Sequence, residues 1–322
     1  MAVPKTLEYL VTTEKLADNN SVHSVGGEVL MRQIDDRVIV VQVLVAVFLC
    51  INSLLIITFF KKDCFRTNMR YIFFANTLLS DCLFLILANI LLILSYFRFP
   101  MQVWLCLILY IVSTVNTCVT PITLTAMTLE RYVAICMPLR HGELCTTRRA
   151  LHCILIIHSL GSMPIIITLF IFFTSATYSL YTQYRICSVE MLILHRWQGH
   201  VRSAVYQLYF LIMSVTIVFS YVKIMKVAKA ASGENKNSTW KGLRTVVLHA
   251  FQLLLCLIQM WCPFIEAAVL QIDSMLFINV RYFNYITFIL APRCLSPLIY
   301  GLRDEKFFLA LKHYAFYGLY KK

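Results

Sequence analysis

Seven apolar runs, each long enough to cross a lipid bilayer as a helix, constrain this chain more than any other feature. They cover 38–60, 69–96, 103–135, 150–173, 200–228, 242–270 and 280–301. A bilayer core of ~30 Å takes roughly 20 helical residues to cross. Backbone polar groups find no water there, so only helices and closed barrels span it. The runs are too long for barrel strands and lack strict alternation. The expected fold class is therefore an all-α membrane protein, a seven-transmembrane helix bundle. Composition agrees: 60% of residues are hydrophobic and 14% charged, against about 45–50% and about 25% in soluble domains. Seven crossings and their loops use up the chain, leaving no room for a second soluble domain.

The net charge of +13 does not read as a nucleic-acid surface, because the basic residues sit in short segments between apolar runs. They follow spans 1, 3 and 7 and surround the loop between spans 5 and 6: Lys61 and Lys62, Arg140 and Arg148, Arg303 and Lys306, with Lys223, Lys226 and Lys229 around the 5–6 loop. The other loops and the first segment carry few. The positive-inside rule then predicts an extracellular tail over 1–37, a transmembrane domain over 38–301, and a cytoplasmic amphipathic helix and tail over 302–322. The tail shows no basic stretch leading into an apolar core, so the first span is expected to act as its own insertion signal. Asn19 opens a glycosylation sequon in that outer tail. The stretch 303–314 is amphipathic, with Phe307, Phe308 and Leu311 expected on one face, lying on the inner leaflet against membrane lipids. Twelve cysteines are scattered singly. No Cys/His spacing predicts a metal site, no cofactor is implied, and no nucleophile–base set suggests an enzyme.

The third run ends in Glu130-Arg131-Tyr132, followed by Val-Ala-Ile-Cys136 and Pro138-Leu-Arg140-His141. This closely resembles the acidic-Arg-Tyr segment of rhodopsin-like G-protein-coupled receptors, in the extended form typical of odorant receptors. The seventh run contains Ser296-Pro297-Leu-Ile-Tyr300-Gly-Leu-Arg303, similar to the family's Asn-Pro-x-x-Tyr with Ser296 where Asn is usual. The Thr120-Pro121-Ile-Thr-Leu run and Trp261-Cys262-Pro263 are similar to fish-type odorant receptors. Mammalian relatives usually carry more cysteines in the outer loop before span 5 and lack this Trp.

The resemblance implies roles for particular residues. Glu130, Arg131, Tyr132, Tyr221, Pro297 and Tyr300 would form the coupling switch for a heterotrimeric G protein. Asn52, Asp81, Thr120, Arg293 and Ser296 would form an intramembrane polar network. An ionisable group at that depth is costly and is a functional hypothesis by default. In many relatives the acid of this network helps bind sodium. Arg293 departs from the pattern, and the expectation is that it pairs with Asp81 in place of the ion. A Cys106–Cys187 disulfide is implied.

The ligand region carried over from the family comprises Ser113, Thr114, Thr117 and Cys118 in span 3, and Val205, Tyr206 and Tyr209 in span 5. It continues with Trp261, Phe264, Ile265 and Ala268 in span 6, and Ile286 in span 7. The set mixes apolar and hydroxyl groups, as a small-molecule pocket does. Ser113 stands where amine receptors have an acid, which lowers that reading. Glu266 is expected either to pair with His200 or Arg202 or to face a ligand. The expected function is an odorant receptor in the plasma membrane that binds a small odorant and activates a stimulatory G protein. The alternatives are a receptor of the same family for an endogenous lipid or peptide, and a polytopic transporter.

Overall fold

The computed structural model describes residues 36–176, 178–187, 194–231, 236–296 and 305–316. The helices are α1 (Asp36–Lys61), α2 (Met69–Tyr96), α3 (Val103–Cys136), α4 (Thr147–Ser175) and α5 (Arg196–Ala231). Next come α6 (Lys236–Gln259) with its continuation Cys262–Leu270, and α7 (Ser274–Asn284) with its continuation through 296. A final helix, α8 (Glu305–Phe316), follows. Helices α1 to α5 are each long and apolar enough to span a membrane, and α6 with its continuation makes a sixth span bent by 43°. The seventh is segmented: α7 passes into a π-helical stretch, Tyr285–Leu290, and then a last α-helical part, Ala291–Ser296.

These ends follow local chemistry. Asn68 caps α2 by accepting from the backbone N–H of Arg70, and Thr146 caps α4 through Arg149. Asp273 caps α7 by accepting from the N–H groups of Met275 and Leu276, both at 3.1 Å. Such side chains satisfy donors that a helix start leaves open. Helix α7 therefore starts six residues before the expected 280. The break in the sixth span falls just before Pro263, which has no N–H for the helix ladder. Pro292 lies two residues after the end of the π stretch, in the first turn of the last α-helical part, where a missing backbone donor is tolerated.

Helix α3 is the axis of the bundle, touching α2, α4, α5 and α6. At the α3–α4 crossing, a Cβ on Gly161 would stand 2.8 Å from Cγ2 of Val119, so the two helices approach as closely as a glycine permits. Large apolar side chains such as Leu155, Phe170, Leu211 and Val218 are exposed, as lipid-facing residues must be. Membrane-embedded hydroxyls turn back on their own helices; Thr77, Thr123 and Thr128 each donate to the carbonyl four residues earlier.

The end of the bundle assigned to the cytoplasm by charge is here called inner. There α8 packs on α1 and buries Phe307 and Ala310 completely. Phe307 meets the rings of Phe65, Tyr71 and Phe74. The expected face of Phe307, Phe308 and Leu311 needs correction. The buried stripe is Phe307, Ala310 and Leu311, at i, i+3 and i+4, while Phe308 is turned one residue (~100°) away and is 39% exposed. At the outer end, β1 (Pro100–Gln102) pairs antiparallel with β2 (Tyr184–Ile186), beside the Cys106–Cys187 disulfide with its Cα atoms 5.5 Å apart.

Candidate functional site

The polar network lies midway along the bundle. Asp81 of α2 and Arg293 of the seventh helix are both fully buried, and Nη1 of Arg293 donates to Oδ1 of Asp81 at 2.6 Å. Thr120 of α3 donates to the same oxygen at 2.9 Å. The guanidinium also lies over the Phe84 ring, 4.6 Å from its centroid, where the negative ring face attracts a cation. Nε and Nη2 of Arg293 have no hydrogen-bond partner among the described residues. Asn52 is buried on α1. Ser296 ends the last helical part, its side chain outside the described residues. The network thus brings a protein cation, an acid and a hydroxyl from three helices onto one carboxylate oxygen.

Three polar contacts that the sequence did not suggest reinforce this middle layer. Asn76 of α2 donates to Thr123 of α3 at 3.2 Å and meets His158 of α4 at 3.1 Å. Gln252 of α6 donates to the carbonyl of Pro292 at 3.2 Å. The available signal was the polar residue type inside each apolar run, since lipid leaves an unpaired amide or imidazole few alternatives to a neighbouring helix.

At the inner end, Glu130 lies one turn and a half before the close of α3, and Oε1 of Glu130 is 3.3 Å from Nε2 of His141. His141 belongs to the short helix Pro138–Leu144, which begins at Pro138 after α3 ends. Tyr132 stacks at a tilt on Phe219 of α5, centroids 5.9 Å apart. Tyr221 packs against the main core cluster. Pro297, Tyr300 and Asn19 lie outside the described residues. Glu130, His141 and Cys145 also bring a carboxylate oxygen, an imidazole nitrogen and a thiol within 4.8 Å of one another. Glu130 lies on α3 and Cys145 just past the helix Pro138–Leu144, and the break at Met137 between the two helices lets them meet. Burial, then the nearby Glu130 carboxylate, push the Cys145 thiol above its ordinary value; Cys153 adds to this and Arg149 opposes it.

Toward the outer end, Thr114 and Cys118 are buried on α3, and Thr117 donates to the carbonyl of Ser113. Tyr206 of α5 stands against Cys118. Val205 is half-buried beside it. Tyr209 is directed elsewhere: its hydroxyl donates to the Leu160 carbonyl of α4 at 2.7 Å. Trp261 sits at the break of the sixth span, edge-on to Phe210 at 5.7 Å between centroids. Phe264 is half-buried and Ile265 and Ala268 are exposed on the following turns. Ile286 packs in a cluster with Val41 and Val45 of α1 and Leu85 of α2. The π stretch explains this placement. Its wider turns shift the register between Ser296 and Ile286 relative to α-helical spacing. Glu266 takes its partners from α7, with Asn284 donating at 3.1 Å and Arg281 Nε at 4.0 Å. These contacts join the sixth span to α7.

Comparison with known proteins agrees with this geometry. A family model described as "7 transmembrane receptor (rhodopsin family)" matches residues 51–300. "Odorant receptor 131-2" of Danio rerio is 42% identical over 306 residues, covering 94% of this chain and 93% of the relative. The matched region runs from α1 through the whole bundle, and the chain belongs to the rhodopsin family of seven-transmembrane receptors.

Proposed function

We propose that this protein is an odorant receptor of the plasma membrane. A small-molecule odorant binds among α3, α5 and the sixth span and activates a heterotrimeric G protein of the stimulatory type. The carrying observation is the 42% identity to an odorant receptor along nearly the full length of both chains. The N-terminus is extracellular and the C-terminus cytoplasmic in this reading, because basic residues gather at the α8 end. Asn19 is then available for glycosylation. Glu130, Arg131, Tyr132 and Tyr221, with Pro297 and Tyr300, form the coupling end. An ion pair at a helix end is a two-state element that an agonist can bias. Cys118 and Tyr206 form the floor of the ligand region, with Trp261 beneath it on the sixth span.

Arg293 serves as the resident cation of the polar network. Its guanidinium meets the Asp81 carboxylate directly, so no free ion is needed for charge balance there.

The test is a cAMP screen of an odorant panel on cells expressing the receptor, with Arg131→Ala at matched surface expression as control. The expected result is a ligand that raises cAMP in the parent and not in the variant. Ligand-independent uptake of a solute, with no cAMP response, overturns the receptor reading in favour of a transporter.

A further inference from the structure

Three side chains of different metal-ligand types converge where α3 gives way to the helix Pro138–Leu144. Glu130 offers a carboxylate oxygen, His141 an imidazole nitrogen and Cys145 a thiol, all mutually within 4.8 Å. His141 and Cys145 are four residues apart, so they lie on one face of one helical turn. The backbone N–H of Cys145 donates to the His141 carbonyl at 2.8 Å and fixes that turn. Glu130 comes from the neighbouring helix and closes the triangle.

Zinc takes nitrogen and oxygen ligands at about 2.0–2.2 Å and thiolate at about 2.3 Å, in a tetrahedron. That geometry places a nitrogen and an oxygen ligand about 3.3 Å apart, and a sulfur about 3.6 Å from either. His141 Nε2 and Glu130 Oε1 already stand at 3.3 Å. The Cys145 thiol lies within 4.8 Å of both and would move closer on coordination. His141 is 38% exposed and Glu130 only 9%. The cluster is thus anchored on its α3 side and open to solvent on the other, which leaves a fourth position for water.

We infer that Glu130, His141 and Cys145 form a Zn2+ site at the inner end of the bundle, outside the ligand region and independent of the odorant reading. A carboxylate and a thiolate together neutralise the ion. A thiol binds zinc as the thiolate, so its proton passes to solvent as the Zn–S bond forms. The bound ion ties the helix Pro138–Leu144 to α3 beside Arg131 and restrains the segment between them.

Full-length receptor in nanodiscs, titrated with Co2+ and then Zn2+, tests the site. A thiolate-to-cobalt charge-transfer band that Zn2+ bleaches is expected. Cys145→Ser should abolish it, and the control Cys136→Ser should keep it. His141→Ala should weaken Zn2+ affinity by at least ~10–100-fold, more than loss of an outer partner costs. An unchanged band in Cys145→Ser, or equal Zn2+ affinity in His141→Ala and the parent, overturns the assignment. The unmodified receptor gives a second measurement: Zn2+ should slow alkylation of Cys145, and a chelator should restore it. Equal alkylation with and without Zn2+ also overturns it.

Discussion

Asp81 and Arg293 lie 212 positions apart in sequence and 2.6 Å apart in space, with neither side chain exposed. A buried pair of this kind costs much desolvation, and its removal as a unit can be neutral, but removing one partner leaves a bare charge. Arg293→Leu and Asp81→Leu should each lose about 3–5 kcal/mol, and the double variant should recover most of it. Thermal unfolding of purified receptor in detergent reads this, and equal losses in the single and double variants would reject the coupling. In Arg293→Ala, Na+ should raise the melting temperature relative to choline, whereas the parent should not respond.

The α3–α4 crossing makes a sharper packing prediction. Gly161→Val should lower surface expression and cost about 1–3 kcal/mol, the range for overpacked cores, because its Cβ alone meets Val119 at 2.8 Å. Val119→Ala in the same chain should restore part of the loss. A double variant no better than Gly161→Val would show that the contact is not the cause.

Docking of α8 separates two neighbouring phenylalanines. Phe307→Ala removes a fully buried ring and should cost about 3–5 kcal/mol. Phe308→Ala should stay within about 1 kcal/mol, since its ring is 39% exposed. Hydrogen exchange over 305–316 should rise in the first variant only; a rise in both would place the buried face wrongly.

The disulfide encloses a long loop, with a sequence separation of 81 between Cys106 and Cys187. The chain-entropy relation gives about 4–5 kcal/mol for a loop of this size. Reduction should lower the melting temperature of the parent. The Cys106→Ala/Cys187→Ala variant should start low and ignore reductant.

What could be read from the sequence follows from how local each cause is. Span 2 was read as 69–96 and the helix is Met69–Tyr96, because apolar length and the Asn68 cap are both local. The Arg293–Asp81 contact was legible because two opposite charges inside apolar runs have few places to go. The Glu130, His141 and Cys145 cluster was not, since it depends on how the chain turns at the helix break at Met137. The π stretch over Tyr285–Leu290 was not legible either, since an apolar run carries no sign of a change in helical turn. The contacts of Glu266 with Asn284 and Arg281 join two different helices, and which faces of two helices meet is not written in either run alone.

The Asp81–Arg293 pair also sets a timetable for biosynthesis. Asp81 emerges with the second helix, but its cation is synthesised 212 residues later, roughly 10–40 s at ribosomal rates. Through that interval a charge in the second helix stands without its cation, at about 2.5–3.5 kcal/mol on insertion scales. Membrane insertion of the early helices therefore precedes their stable assembly, and a chain truncated before Arg293 is marked as unfinished by its own unneutralised acid.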